Sequence, residues 1–128
     1  MFGVVAVSDV EVLTKLAKEC GGEYLPNCTL NTVLIVGDEP CGICMMRYVT
    51  SQKVRLEWVG VREDTRGKGY GDFLTRASIN KAIDICEFIE IGYVDDYFLK
   101  FGFKKEGEVM SIESEKVFFP SKCNHHQG

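Results

Sequence analysis

The chain has 128 residues, 45% of them hydrophobic and 27% charged, with a formal net charge of −4. That is chain enough for one domain with a core of its own, and the acidic balance argues against nucleic acid as a partner, because a phosphate backbone asks for a basic face. No apolar run nears the ~20 residues that cross a bilayer, and the opening MFGVVAVSDVEV has neither a basic leader nor a small-residue cleavage site, so the expectation is a cytoplasmic protein with no membrane partner.

Residues 2–7 form a short β-rich run. Ser8 or Asp9 can cap the helix that follows. This helix reaches about Cys20, with Val10, Leu13, Leu16, Ala17 and Cys20 on one face and Glu11, Lys15, Lys18 and Glu19 on the other. Gly21-Gly22 stops it, and residues 23–31 read as a loop around Pro26. Strands are predicted at 32–36, 42–50 and 53–61, an antiparallel meander with turns at 37–40 and at Ser51-Gln52. Gly60 interrupts the third strand, the mark of a bulge or of a close approach to the backbone.

Residues 72–85 carry a helical pattern that turns Phe73, Leu74, Ala77, Ala82 and Ile85 to the core. Residues 86–93 are strand-like, and a strand–helix–strand unit makes this strand parallel to 53–61. A short helix at 95–101 ends at Gly102, and 103–110 with 114–119 form a last hairpin turning near Ser111-Ile112. The order is β-α-βββ-α-β-α-ββ. It describes an α/β sandwich around a mixed, mostly antiparallel sheet with one parallel step. A single domain over 1–128 is expected, with 121–128 a frayed tail.

Of the six cysteines, Cys41-Gly42-Ile43-Cys44 has the spacing of half a zinc site or of a redox pair. No second pair follows, and His125 and His126 stand beside Cys123 in the tail. The expectation is buried thiols in a strand and no bound metal.

The stretch Arg66-Gly67-Lys68-Gly69-Tyr70-Gly71 carries the most chemistry. A glycine-rich turn between a strand and a helix gathers backbone N–H groups at the positive end of the helix dipole. Without Cβ atoms a ligand can touch the main chain, and Arg66 and Lys68 add cations. Such a seat suits a phosphate or pyrophosphate. Neither a Walker A loop nor a dinucleotide fingerprint is present, since both GxxxxGK[ST] and GxGxxG spacings are absent.

These residues match the R/Q-x-x-G-x-G/A signature of the GNAT superfamily of N-acetyltransferases, and the chain resembles that family further in Tyr97-Phe98-Leu99-Lys100-Phe101-Gly102-Phe103 and in its element order. The resemblance implies acetyl-CoA as co-substrate. It also implies that the backbone of Val59, Gly60 and Val61 binds the pantetheine arm, and that the amides of Arg66, Gly67, Lys68, Gly69, Tyr70 and Gly71 hold the pyrophosphate. The acceptor would be the primary amine of a small molecule or peptide, and the acidic charge favours a cationic one.

An amine with pKa ~10.4 must lose a proton before it attacks, at a cost of about 4–5 kcal/mol at neutral pH, so a general base is expected. By simple strand alternation Glu57 shares a face with Val59 and Val61 and is the candidate; Glu90 on the neighbouring strand is the alternative. The usual tyrosine acid is replaced by Phe98, leaving Tyr97 or Tyr93 to supply a hydroxyl, and Asp95-Asp96 stand where the family often has asparagine. Two other readings stay open: a CoA-binding module without turnover, and an interaction domain that forms a homodimer through its last hairpin.

Overall fold

A computed structural model describes residues 1–120; the tail with Cys123, His125 and His126 lies outside the described residues. Seven strands form one sheet in the order β1-β2-β3-β4-β5-β7-β6. They are β1 (Phe2–Ala6), β2 (Leu30–Val36), β3 (Glu39–Thr50), β4 (Lys53–Val61), β5 (Phe88–Ile91), β6 (Lys104–Glu106) and β7 (Val109–Glu113). Every neighbouring pair is antiparallel except β4 with β5, which run parallel over 53–56 and 88–91. Two α-helices, α1 (Val10–Glu19) and α2 (Tyr70–Ile83), and a 3-10 helix at Asp96–Phe101 complete the frame. No helix among the described residues is long and apolar enough to cross a membrane.

Strand alternation divides the core into two layers. Leu34, Cys44, Met46, Val54, Leu56, Ile89, Ile91 and Met110 pack with Leu74, Ile79 and Ala82 of α2 and with Phe98, Phe101 and Phe103. On the other face Val33, Ile43 and Met45 meet Leu13, Leu16 and Ala17 of α1. Each fully buried Val, Leu, Ile, Met or Phe among them contributes roughly 1.5–3 kcal/mol by leaving water, and this burial holds the helices to the sheet. Asp9, rather than Ser8, caps α1, its Oδ1 accepting from Glu11 N–H at 3.0 Å and Val12 N–H at 3.3 Å.

Several expectations need correction. Val10, Phe73 and Ile85 are solvent-exposed: Val10 and Phe73 sit at the flank of their helices' apolar stripes, and Ile85 lies beyond the end of α2 at Ile83. Phe73 instead packs at the surface against Phe2, ring centroids 4.8 Å apart, pinning β1 to α2. The last hairpin turns at Gly107, whose φ of 68° lies in the left-handed region that glycine tolerates. Residues 111–113 continue β7 rather than forming a turn, and 114–116 are a 3-10 turn. Cys41 and Cys44 are both buried, and three residues apart in a strand they fall on opposite faces of the sheet, so their thiols do not converge.

The bulge in β4 lies earlier than Gly60. Met45 pairs with Trp58 and Met46 with Leu56, which leaves Glu57 unpaired in the ladder. Glu57 meets Arg47 and Arg55, and Trp58 joins the α1 layer, so both turn to the α1 side. Val59 packs in the α2 layer, and Glu57 therefore does not share a face with Val59 and Val61. Gly60 is glycine for another reason: a Cβ there would run into the Trp58 indole, as would one at Gly22, 2.6 Å from Trp58 Cζ2.

Candidate functional site

The parallel step ends in a wedge. Gly92 N–H donates to Leu56 O at 2.8 Å, and β5 has stopped at Ile91 while β4 runs on to Val61. Arg62 N–H donates to Cys41 O at 2.8 Å. In an antiparallel ladder this aims the main-chain groups of Gly60 at β3 and those of Val59 and Val61 away from it. Those groups face the cleft that opens where β5 is missing. The cleft has a volume of about 550 Å³, with Trp58, Val59, Gly60 and Val61 on one wall and Tyr93, Asp95, Tyr97 and Phe98 on the other. Arg66, Gly71, Asp72 and Thr75 close one end.

That end is the glycine loop. Gly67 and Gly69 have φ of 83° and 79°, conformations that a side chain would strain. Gly69 is the N-cap of α2 and no side chain caps the helix, in contrast to α1. The first amides of α2 thus keep their donors open at the positive end of the dipole. A Cβ on Gly67, Gly69 or Gly71 would meet nothing within 4 Å. Gly71 is the informative one: its φ is not positive, and inside a helix glycine costs about 1 kcal/mol relative to alanine. Neither strain nor packing asks for glycine there, whereas a ligand lying against the amides does.

The loop cations differ in their engagement. Arg66 spans from the loop to α1, its Nε donating to Val61 O and its Nη2 to Cys20 O, both at 3.3 Å. Lys68 is exposed. Beside the loop, Asp72 accepts from Arg76 Nε at 2.9 Å and from Tyr97 Oη at 2.5 Å, with Lys100 Nζ 3.6 Å away. This ties α2 to the 3-10 helix across the cleft. Burial, reinforced by Asp72, pushes the Tyr97 phenol above its ordinary range, and burial pushes Tyr93 up to about 12. Both hydroxyls keep their protons at neutral pH, and that of Tyr97 is directed to Asp72. Phe98 is buried in the core.

Glu57 sits at the closed end of the wedge, the first β4 residue past the last rung to β5. Arg47 Nε donates to its Oε2 at 2.6 Å, and Arg55 Nε donates to Glu90 Oε2 at 2.5 Å. Glu90 is thereby buried in an ion pair on the α1 face, one strand away from the cleft wall. The structure thus brings Val59, Gly60, Val61, Arg66, Gly71 and Tyr97 to one cleft, whereas Glu57 is not among the lining residues and stands just past the last β4–β5 rung, held by Arg47. Sequence reasoning missed Asp72, Thr75 and Trp58. An acidic residue in a helix's first turn is a dipole signal, but nothing local shows that its partner stands 25 residues on.

Neither a protein-family model nor a curated protein matches the sequence. Solved structures do match its shape. The ribosomal-protein-S18-alanine N-acetyltransferase from Escherichia coli superposes with a TM-score of 0.72 at 11% identity, over 95% of this chain and 97% of that one. Arabidopsis thaliana Naa50, solved with a bisubstrate analogue of CoA and a peptide, gives 0.68 at 16% identity over 88% and 98%. A GNAT family acetyltransferase from Elizabethkingia anophelis with acetyl-CoA bound gives 0.66 at 15% over 88% and 97%. The chain has the fold of the GNAT acetyltransferases.

Proposed function

We propose that this chain binds acetyl-CoA in the wedge and transfers its acetyl group to a primary amine of a small molecule or peptide. The observation that carries the reading is the continuity of two open donor sets, the outward main chain of Val59 and Val61 and the uncapped, glycine-lined start of α2. An extended amide-bearing arm ending in a pyrophosphate matches that pair. The likeness to Naa50 and to the S18-alanine enzyme supports including peptide amines among the acceptors. The described cysteines are all free thiols, which supports a reducing compartment such as the cytoplasm.

In this reading the amides of 66–71 hold the pyrophosphate and the edge of 59–61 holds the pantetheine. Glu57 takes the proton that an amine must lose. The amine nitrogen attacks the thioester carbon, an N–H of the β4 edge stabilises the oxyanion, and the C–S bond breaks. A thiol of pKa ~8.5 leaves readily as thiolate. Tyr97 is the hydroxyl assigned to hydrogen-bond the departing sulfur, at the expense of its bond to Asp72, and the thiolate then takes its proton from solvent. Calorimetry with acetyl-CoA tests the seat: Gly69→Glu, which sets a carboxylate against the phosphates, should abolish binding, and unchanged affinity would misplace the site. Thiol release with a panel of amines then tests transfer.

A second reading is a CoA-binding module without turnover. The burial of Phe98 and the engagement of Glu57 by Arg47 favour it. Acetyl-CoA binding with no thiol release across the amine panel would select it.

A further inference from the structure

The two carboxylate oxygens of Glu57 are not equivalent. Oε2 accepts from Arg47 Nε at 2.6 Å and lies 3.8 Å from Arg55 Nη1. Oε1 makes no hydrogen bond among the described residues and rests against Gly92, where a Cβ would collide with it. Gly92 also forms the last rung between β4 and β5, its N–H on Leu56 O, so Oε1 lies over the point at which the strands part. Arg55 is committed first to Glu90, at 2.5 Å. The orientation of Glu57 therefore depends on Arg47, reaching across from β3, and on the bare Cα of Gly92.

We propose that Arg47 is a positioning residue for acetyl transfer: by holding Oε2 of Glu57 it presents Oε1, over Gly92, to the nitrogen of the incoming amine. This rests on Glu57 acting as the base. A guanidinium N–H fixes direction as well as charge. Gly92 supplies a second, charge-free handle on the same geometry. Its φ is not positive, so alanine is compatible with the backbone; the atom its Cβ would overlap is the tip of the flexible Glu57 side chain, with Arg55 Cδ at 3.2 Å and Leu56 O at 3.3 Å also close. Gly92→Ala moves the carboxylate without removing a charge.

The test measures thiol release from acetyl-CoA with two probe amines, spermidine and a Met-Val-Asn-Ala-Leu peptide with a free N-terminus, and acetyl-CoA affinity from quenching of Trp58 fluorescence. Arg47→Met and Gly92→Ala should each lower kcat about tenfold or more, the scale of a misplaced catalytic group, with acetyl-CoA affinity unchanged. In a Glu57→Gln background neither should lower kcat further, because no base is left to position. If Glu57→Gln loses rate while Arg47→Met does not, or if Arg47→Met costs the same factor in both backgrounds, Arg47 is not positioning Glu57. Wild-type rate in Glu57→Gln itself, or no thiol release from the wild type with either amine, removes the base and the inference with it.

Discussion

At the scale of single residues, Glu57 and Gly71 make opposite kinds of claim. Glu57→Gln keeps shape but cannot accept a proton, so kcat/KM should fall about 10²-fold or more near neutral pH, the range of lost general base catalysis. The deficit should shrink as pH approaches the amine's own pKa of ~10.4, because free amine then needs no base. A pH–rate comparison of the two proteins checks this, and a constant ratio across pH would assign Glu57 another role. Gly71→Ala should act in the other direction on stability. Its Cβ enters empty space and removes a helix glycine, raising stability by up to about 1 kcal/mol. The same Cβ stands against the proposed phosphate seat, so acetyl-CoA affinity should drop. A higher Tm together with weaker binding is the expected pair, and unweakened binding would leave Gly71 without a reason.

Among elements, β4 decides what can be read from sequence. The passage from strand through glycine loop to α2 is legible because its signals are local: alternation, then glycines, then helical spacing. Glu57 was misplaced by the same alternation, since a bulge shifts every later side chain by one position and is fixed by the pairing of β3 with β4. Gly60 advertised an irregularity but marks the indole of Trp58 rather than the bulge itself. The last hairpin is harder to read because Ser111 breaks the apolar run of 109–112 as a turn would, although the chain reverses at Gly107. The Asp72–Tyr97 tie is illegible for a different reason: it joins two elements distant in sequence. Gly60→Ala tests the account of β4. Its Cβ would overlap Trp58 Cη2 and stand 2.9 Å from Cζ3, an overpacking that should cost about 1–3 kcal/mol in chemical denaturation. A neutral effect would show that the indole is free to move.

For the whole molecule the buried thiols and phenols set the alkaline limit. Burial pushes Cys20 and Cys28 from an ordinary 9.0 to about 11 and Cys44 to about 12, and Tyr93 from 10.0 to about 12. All are raised, so the folded chain holds these protons more tightly than the unfolded one. The stability they contribute is complete below about pH 9 and is lost as pH climbs through 11 and 12. Thermal unfolding followed upward from about pH 7 should show a level Tm and then a decline beyond about pH 9, less steep in Cys44→Ser. A Tm independent of alkaline pH would mean that these groups are hydrated in the native state. The sheet itself is two antiparallel leaves, β1 to β4 and β5 with β7 and β6, stitched along the short run 53–56 and 88–91, with Gln52 O and Gly92 N–H adding a bond at either end. In mechanical terms this is a book with a short spine, and the wedge is the gap between its covers. An arm lying from the Val59 edge to the Tyr93 wall lengthens the spine. Under the proposed function, stiffness of the sheet and occupancy of the cleft should therefore rise together, and amide exchange at Val59 and Val61 is where that stiffening should register first.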